Sequence, residues 1–176
     1  EESQFTAFVE KAYSDIAFHI GNDQTISHPF TVAFQTQMLE VNRGDVVLEI
    51  GTGCGYQTAV LYEIGAKIFS IERIRALHDR SKTLLSKLGY RARFFHGDGY
   101  KGLPLHAPFD KIVVTAGAPL VPKDLLQQLK INGKLIIPIG EGKTQIMNLF
   151  IRKNETQFSR QELGSFRFVP MLINKA

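Results

Sequence analysis

Apolar residues in this chain fall into short runs that alternate with helix-like segments. Residues 46–50 are aliphatic except for Glu49, which is typical of a strand buried on both faces. From residue 57 to 64 the apolar positions take the spacing of a helix. The same alternation predicts further strands over 67–72, 92–95, 109–115 and 134–139, and helices over 73–88 and 123–129. Alternating strands and helices predict a mainly parallel sheet with helices on both faces.

The two ends of the chain follow other patterns. Residues 144–151 and 157–163 predict an antiparallel hairpin, a common edge for an otherwise parallel sheet. Residues 30–41 predict a helix in which Phe34, Met38 and Val41 share a face. Ser27 is a natural N-cap for this helix, and Pro29 suits its first turn. With 44% hydrophobic residues and no repeat or linker, the 176 residues predict one domain.

Glycines follow the first predicted strand at positions 51, 53 and 55. They permit a tight turn and leave the backbone bare, so that a ligand can approach closely. A dinucleotide fingerprint needs glycine at the sixth position, where this chain has Tyr56, and no lysine follows as it does in a triphosphate P-loop. The G-x-G-x-G spacing therefore favours S-adenosylmethionine, a ligand without phosphates.

Two acidic residues follow at the ends of the next two predicted strands. Glu72 lies 21 positions after Gly51, where a carboxylate can accept the hydroxyls of a ribose. The alternative interpretation is an acid placed favourably at the start of a helix. Asp98, between two glycines, is a candidate acceptor for the amine of an adenine, or else an ordinary turn aspartate.

Charge and cysteine content narrow the function classes. The net charge of +4 comes from scattered basic residues, and no base-stacking motif accompanies them, so we expect neither a nucleic acid nor a membrane as partner. The single cysteine, Cys54, excludes a disulfide within the chain and suits a reducing compartment, so a cytoplasmic location is expected. A nearby helix N-terminus can lower the pKa of this thiol, although a small residue in a tight turn is the simpler interpretation.

The histidines and serines predict neither a metal site nor a hydrolase. The five histidines form no i,i+4 pair and have no cysteine partner, so we expect no metal. Ser27 and His28 are adjacent, but no acidic partner and no G-x-S-x-G turn accompany them.

Several motifs together resemble one enzyme family. They are Thr25-Ile26-Ser27-x-Pro29, the stretch from Leu48 to Ala59, Gly97-Asp98-Gly99, Phe109-Asp110, Thr115 to Pro119, and Arg167-Phe168-Val169-Pro170. From Ala12 onward the chain resembles the protein-L-isoaspartate O-methyltransferases. The resemblance implies a Rossmann-like, S-adenosylmethionine-dependent methyltransferase fold.

The resemblance also implies a reaction and a set of site residues. The reaction is methyl transfer from S-adenosylmethionine to the α-carboxyl of L-isoaspartyl residues in damaged proteins and peptides, with S-adenosylhomocysteine as product. Ser27 corresponds to the active-site serine, Thr25 and Ile26 lie beside the substrate, and Val169 offers its backbone to the isoaspartyl residue. The positions implied for the cofactor are Glu49, Gly51, Thr52, Gly53, Cys54, Gly55, Glu72, Asp98 and Gly99.

Carried over to the whole chain, the resemblance divides it into three parts. Residues 1–41 form the substrate side, 45–139 the cofactor-binding core, and 143–176 the antiparallel edge and a substrate segment. Relatives have a further helix before Phe5, so we expect an N-terminally truncated chain, and we expect a monomer. Two alternatives remain: a methyltransferase of the same fold acting on another carboxylate or a small molecule, and a non-catalytic module that binds isoaspartyl proteins.

Overall fold

The computed structural model describes residues 19–172 and residue 174. Its strands are β1 (His19–Gly21), β2 (Gln24–Thr25), β3 (Val46–Ile50), β4 (Lys67–Glu72), β5 (Arg93–His96), β6 (Phe109–Val114), β7 (Leu129–Ile139), β8 (Gln145–Arg152) and β9 (Phe158–Phe166). Its α-helices are α1 (Pro29–Leu39), α2 (Tyr56–Ile64), α3 (Arg75–Lys87) and α4 (Lys123–Gln127), and short 3-10 helices span Gly99–Lys101 and Pro104–His106.

Seven of the strands form one sheet in the order β5-β4-β3-β6-β7-β8-β9. The first five of these run parallel, and β8 and β9 are antiparallel to their neighbours. The predicted α/β, Rossmann-like fold with an antiparallel C-terminal edge is therefore confirmed. Within the described part of the chain, no helix is both long enough and apolar enough to cross a membrane.

Both faces of the sheet are buried, because successive residues of a strand point to opposite sides. Val47 and Leu48, both fully buried, belong to two different hydrophobic clusters. Leu39 of α1 and Leu61 of α2 pack into the cluster of Val47, whereas Leu125 of α4 packs into that of Leu48. Helices on both faces were predicted, and the structure confirms them.

The residues predicted to share a face of the first helix all pack against the core, beside a more deeply buried stripe of α1. Phe34, Met38 and Val41 are partly buried against one hydrophobic cluster, and the more deeply buried stripe includes Val32, Gln35 and Leu39. Gln35 is tolerated there because its side-chain amide donates a hydrogen bond to the carbonyl of Val114, at 3.0 Å. Hydrophobic periodicity thus identified residues that pack against the core, but it did not indicate the more deeply buried stripe, because a satisfied polar residue occupies the centre of that stripe.

Strand β7 is longer than predicted. It begins at Leu129 rather than at residue 134, and α4 ends correspondingly early. Leu129 is fully buried and pairs with Phe109, and the register is irregular between Phe109 and Lys111. In the sequence, Asn132 suggests a turn. In the structure its φ is 65°, and the irregular register accommodates this residue within β7.

A small hairpin precedes α1 and was not predicted. Strands β1 and β2 pair antiparallel across Asn22 and Asp23, whose φ angles are 54° and 56°. Two successive residues with positive φ are the mark of a tight two-residue hairpin turn. The Gly-Asn-Asp sequence was the available signal, and the hairpin leads directly into Thr25, Ile26 and Ser27.

Candidate active site

An open cavity of about 850 Å³ lies at the carboxyl ends of the parallel strands. The strand order reverses at β3, which has β4 on one side and β6 on the other, and such a switch point is the usual ligand site of an open α/β sheet. The predicted site residues that line the cavity are Thr25, Ile26, Ser27, Gly51, Thr52, Gly53, Cys54, Glu72, Gly99 and Val169. Three predicted residues, Glu49, Gly55 and Asp98, do not line it.

The glycine turn after β3 is clamped by the end of β6. Gly51 has a φ of +95°, and a Cβ atom added to it would lie 2.5 Å from Oγ1 of Thr115. That hydroxyl donates to the carbonyl oxygen of Gly51 at 2.7 Å. Thr115 also lines the cavity. Sequence reasoning missed this contact, although Thr115 begins one of the motifs that carry the family resemblance.

Glu72 joins the glycine turn to the start of α3. Its side chain is 5% exposed, and its two oxygens accept hydrogen bonds from the backbone N–H groups of Gly53 (3.0 Å) and Ile74 (2.9 Å). Each carboxylate oxygen has a second lone pair that can accept from a ligand. Glu72 can therefore support the start of α3 and also accept the hydroxyl groups of a ribose in the cavity.

Glu49 lies beneath the cavity rather than on its surface. It is fully buried, and its Oε2 accepts hydrogen bonds from the hydroxyls of Thr58 and Ser70, each at 2.5 Å. Ser70 in turn contacts the hydroxyl of Thr52, at 2.6 Å, and Thr52 lines the cavity. Oε1 of Glu49 has no hydrogen-bond partner, and burial raises the pKa of this carboxyl to about 7. Its link to the cavity is therefore indirect, through two hydroxyls.

Asp98 lies just outside the main cavity, beside a neighbouring open cavity of about 750 Å³. Its Oδ1 accepts from the N–H of Tyr100 at 3.0 Å, which caps the 3-10 helix, and its Oδ2 accepts from the N–H of Asn174 at 3.2 Å. The turn interpretation of Asp98 therefore describes its present contacts, while the adjacent Gly99 faces the main cavity.

Gly55 serves helix packing in this structure. Its φ is +90°, and a Cβ atom added to it would lie 2.5 Å from Cδ1 of Leu85 on α3. The third glycine of the turn thus allows α3 to approach the start of α2, and it does not face the cavity.

Replacement of Gly55 by alanine is expected to lower the free energy of unfolding by about 2–3 kcal/mol. Backbone strain at positive φ contributes about 1–2 kcal/mol, and crowding against Leu85 adds at least about 1 kcal/mol. Gly89→Ala is the matched control, because Gly89 has a φ of +86° and open space around it. Urea denaturation would measure both losses, and equal losses would contradict a packing role for Gly55.

The opposite wall of the cavity carries the segment before α1. The N-cap of α1 is His28, without a side-chain capping bond, so the prediction that Ser27 caps this helix is wrong. The wrong prediction arises because the helix begins one residue later than Ser27 would require. Within the described residues the Ser27 hydroxyl makes no hydrogen bond, and it lines the cavity beside Thr25 and Ile26.

A segment that follows β9 forms the third wall. The carbonyl of Val169 accepts from the N–H of Gly117 at 2.8 Å, and the N–H of Met171 donates back to the carbonyl of Gly117 at 2.7 Å. The hydroxyl of Tyr100 donates to the carbonyl of Met171 at 3.0 Å. The backbone of Val169 was expected to bind the substrate, and in the structure its carbonyl also holds the wall in place. One lone pair of that oxygen remains.

Cys54 is not an activated thiol. Burial raises the pKa of Cys54, and this outweighs the hydrogen bonds to backbone groups that favour the thiolate. The suggestion that the helix N-terminus lowers this pKa is therefore wrong, because desolvation of the charged form is the larger effect. The described residues contain no group of three or more metal-ligating side chains.

Comparisons with known proteins agree with one another. The whole chain, residues 1–176, matches the family model described as protein-L-isoaspartate(D-aspartate) O-methyltransferase (PCMT). Protein-L-isoaspartate O-methyltransferases of Flavobacterium psychrophilum and Christiangramia forsetii are 60% and 58% identical over 171 residues, covering 97% of this chain and 80% of each relative.

Two solved structures are similar over 92% of this chain. A protein-L-isoaspartate O-methyltransferase has a TM-score of 0.84 at 31% identity, and this chain spans about half of it, 54%. A Plasmodium falciparum protein described as a β-aspartate methyltransferase (PCMT), in complex with S-adenosyl-L-homocysteine, has a TM-score of 0.83 at 26% identity, with 82% of its length covered.

Proposed function

Since this chain belongs to the protein-L-isoaspartate(D-aspartate) O-methyltransferase family, we propose that it is a repair enzyme that methylates isoaspartyl residues. In the proposed reaction a methyl group passes from S-adenosylmethionine to the α-carboxyl of an L-isoaspartyl residue, and S-adenosylhomocysteine is released. The methyl ester then closes spontaneously to a succinimide, which can reopen to normal aspartate. The observation that carries this proposal is the cavity that brings the Ser27 segment, the glycine turn and Val169 together.

The cavity offers the groups that such a cofactor needs. S-adenosylmethionine supplies a methyl group attached to a sulfonium, which is a good leaving group. Gly51, Thr52, Gly53 and Cys54 form a surface of mostly small residues for its methionine part, and Glu72 is placed to accept the ribose hydroxyls. Gly99 would lie at the adenine, with Asp98 behind it. Glu49 would act through Thr52 rather than by direct contact.

The substrate side needs orientation more than it needs a base. A carboxylate has an ordinary pKa near 4 and is already ionised at neutral pH. The chief requirement is that its oxygen be held in line with the methyl group and sulfur. Such positioning can lower the activation free energy by about 7–11 kcal/mol. The Ser27 hydroxyl would donate a hydrogen bond that aims the carboxylate without neutralising it, and Thr25, Ile26 and Val169 would hold the residue around it.

Ser27→Ala is expected to lower kcat about a hundredfold, because a misdirected nucleophile of this kind costs about that factor. The affinity for S-adenosylhomocysteine should stay within about twofold of the wild type, since Ser27 lies on the substrate side. The measurements are steady-state kinetics with an isoaspartyl peptide and calorimetric titration of S-adenosylhomocysteine. Ser86→Ala, at an exposed serine on α3, is the matched control, and a near-normal kcat for Ser27→Ala would remove Ser27 from the mechanism.

The proposed function is tested by transfer of labelled methyl from S-adenosylmethionine to one peptide sequence made in isoaspartyl and aspartyl forms. Label on the isoaspartyl form alone supports the repair reaction. Label on both forms, or on a free carboxylate only, would favour a methyltransferase of another specificity. Binding of both ligands without any transfer would favour a non-catalytic module that binds isoaspartyl proteins.

Several finer properties complete the proposal. We propose that residues 1–176 act as a single domain and that the protein works as a cytoplasmic monomer. Its macromolecular partners would be isoaspartyl-containing proteins and peptides rather than nucleic acids or membranes. The basic residues scattered along the chain support the absence of a nucleic-acid partner, and the single cysteine supports the cytoplasmic location.

A further inference from the structure

Three aromatic side chains form a small cluster outside the cavity, which we call the aromatic platform: Phe30, Phe34 and Phe166. The ring centroids of Phe30 and Phe166 are 6.3 Å apart with planes inclined by 10°, and those of Phe34 and Phe166 are 5.0 Å apart. Phe34 and Phe166 also pack against the hydrophobic core, which fixes the platform to the sheet. Phe30 is the outermost ring, and it is 62% exposed.

The platform connects two walls of the cavity. Phe30 lies on α1, three residues after Ser27, and Phe166 ends β9, three residues before Val169. Ser27 and Val169 line the cavity, whereas the platform does not. Because an extended chain spans at most about 3.6 Å per residue, each platform residue lies within roughly 11 Å of a lining residue along the backbone. The platform is therefore within reach of a short peptide whose isoaspartyl residue lies between Ser27 and Val169.

We propose that the aromatic platform binds an apolar side chain within three positions of the isoaspartyl residue, and so gives the enzyme a preference among damaged sequences. This inference rests on the proposed function. The isoaspartyl residue belongs to a polypeptide, so the substrate residues on either side of it must extend out of the cavity. Those neighbours cover the same roughly 11 Å in three residues. An exposed aromatic ring held by a second ring is suited to an apolar or aromatic side chain.

A second copy of this chain is a poorer occupant. A whole aromatic side chain offers roughly 150–250 Å² of surface, whereas a stable interface buries about 800 Å² on each partner. The other large exposed apolar side chains of the described residues are spread along the chain, among them Leu88, Leu105 and Ile131. A single substrate side chain matches the size of the platform.

The test is a panel of isoaspartyl peptides in a glycine and serine background, with one phenylalanine placed in turn at each of three positions on either side. For the wild type, at least one phenylalanine peptide should show kcat/KM about fivefold above the peptide without phenylalanine, which is the size of one aromatic contact. Phe30→Ser should remove this advantage and Phe30→Tyr should keep it. Leu105→Ser is the matched control, since Leu105 is 95% exposed and lines neither cavity, and it should also keep the advantage.

The outcomes separate this inference from the proposed function. If the wild type methylates the peptide without phenylalanine but no phenylalanine peptide exceeds it, the platform is not a substrate site and the repair reaction stands. An advantage that survives in Phe30→Ser would equally overturn the inference. If the wild type methylates no isoaspartyl peptide at all, the proposed function itself fails. Titration of S-adenosylhomocysteine should give the same affinity for Phe30→Ser as for the wild type, which shows that the variant is folded.

Discussion

Replacement of Glu72 by alanine is expected to weaken the binding of S-adenosylmethionine on the order of a thousandfold. Two hydrogen bonds from ribose hydroxyls to a nearly buried carboxylate are worth about 1.5–3 kcal/mol each. Together they amount to about 3–6 kcal/mol, and every 1.4 kcal/mol changes the dissociation constant about tenfold. The loss is enlarged because the same carboxylate accepts from the N–H groups of Gly53 and Ile74 and so holds the glycine turn in shape.

Isothermal titration calorimetry with S-adenosylmethionine and S-adenosylhomocysteine would measure this loss. Glu72→Gln keeps the size of the side chain but not its charge, so it should lie between the wild type and the alanine variant. Glu63→Ala, at an exposed position of α2, is the control for removing an acid elsewhere, and thermal unfolding of each variant separates lost binding from lost folding. An affinity of Glu72→Ala within tenfold of the wild type would reduce Glu72 to a residue that only starts α3.

The second large effect concerns the pH dependence of stability at Glu49. Its pKa is raised from 4.5 to about 7, chiefly because burial disfavours the charged form. The folded protein therefore holds a proton that the unfolded chain releases near pH 4.5. The stabilisation is complete below pH 4.5, falls as pH rises toward 7, and is lost above 7. At about 1.4 kcal/mol per pKa unit, the change is about 3 kcal/mol.

Comparison with Glu49→Gln isolates this effect, since glutamine carries no titrating proton. The difference in free energy of unfolding between wild type and variant should move by about 3 kcal/mol in favour of the wild type as pH is lowered from 7.5 to 4.5. Urea denaturation at several pH values gives this difference, and because the site is buried it should change little between about 0.15 and 1 M salt. Parallel stability curves for the two proteins would show that Glu49 keeps the same pKa on folding.

The parts of this protein that could be predicted are those with a local signature. The strand over 46–50 was predicted because an aliphatic run buried on both faces is distinctive, and the strand over 67–72 because it continues the alternation of strand-like and helix-like segments. The glycine turn and Glu72 fall at the carboxyl ends of those strands, and parallel strands bring such ends to one edge. The sequence therefore predicted that the glycine turn and Glu72 lie together, and both line the cavity.

The parts that could not be predicted depend on contacts between distant segments. The clamp of Thr115 on Gly51 spans 64 positions of sequence, and no pattern near Thr115 indicates it. The indirect placement of Glu49 depends on Ser70, which lies in the neighbouring strand. The Phe109-Asp110 motif carries the family resemblance, yet Asp110 lies at the start of β6 and accepts a hydrogen bond from the N–H of Val46, at 2.8 Å. A motif residue can thus serve the sheet rather than the reaction.

The wall formed by residues 169–172 has a consequence for how the protein is made. All seven strands of the sheet precede this wall in the sequence, whereas the cavity includes Val169 to Leu172. A ribosome builds the chain in that order, so this wall is the last part of the cavity to be synthesised. A nascent chain therefore has no complete cavity until residues 169–172 have emerged and Met171 has paired with Gly117.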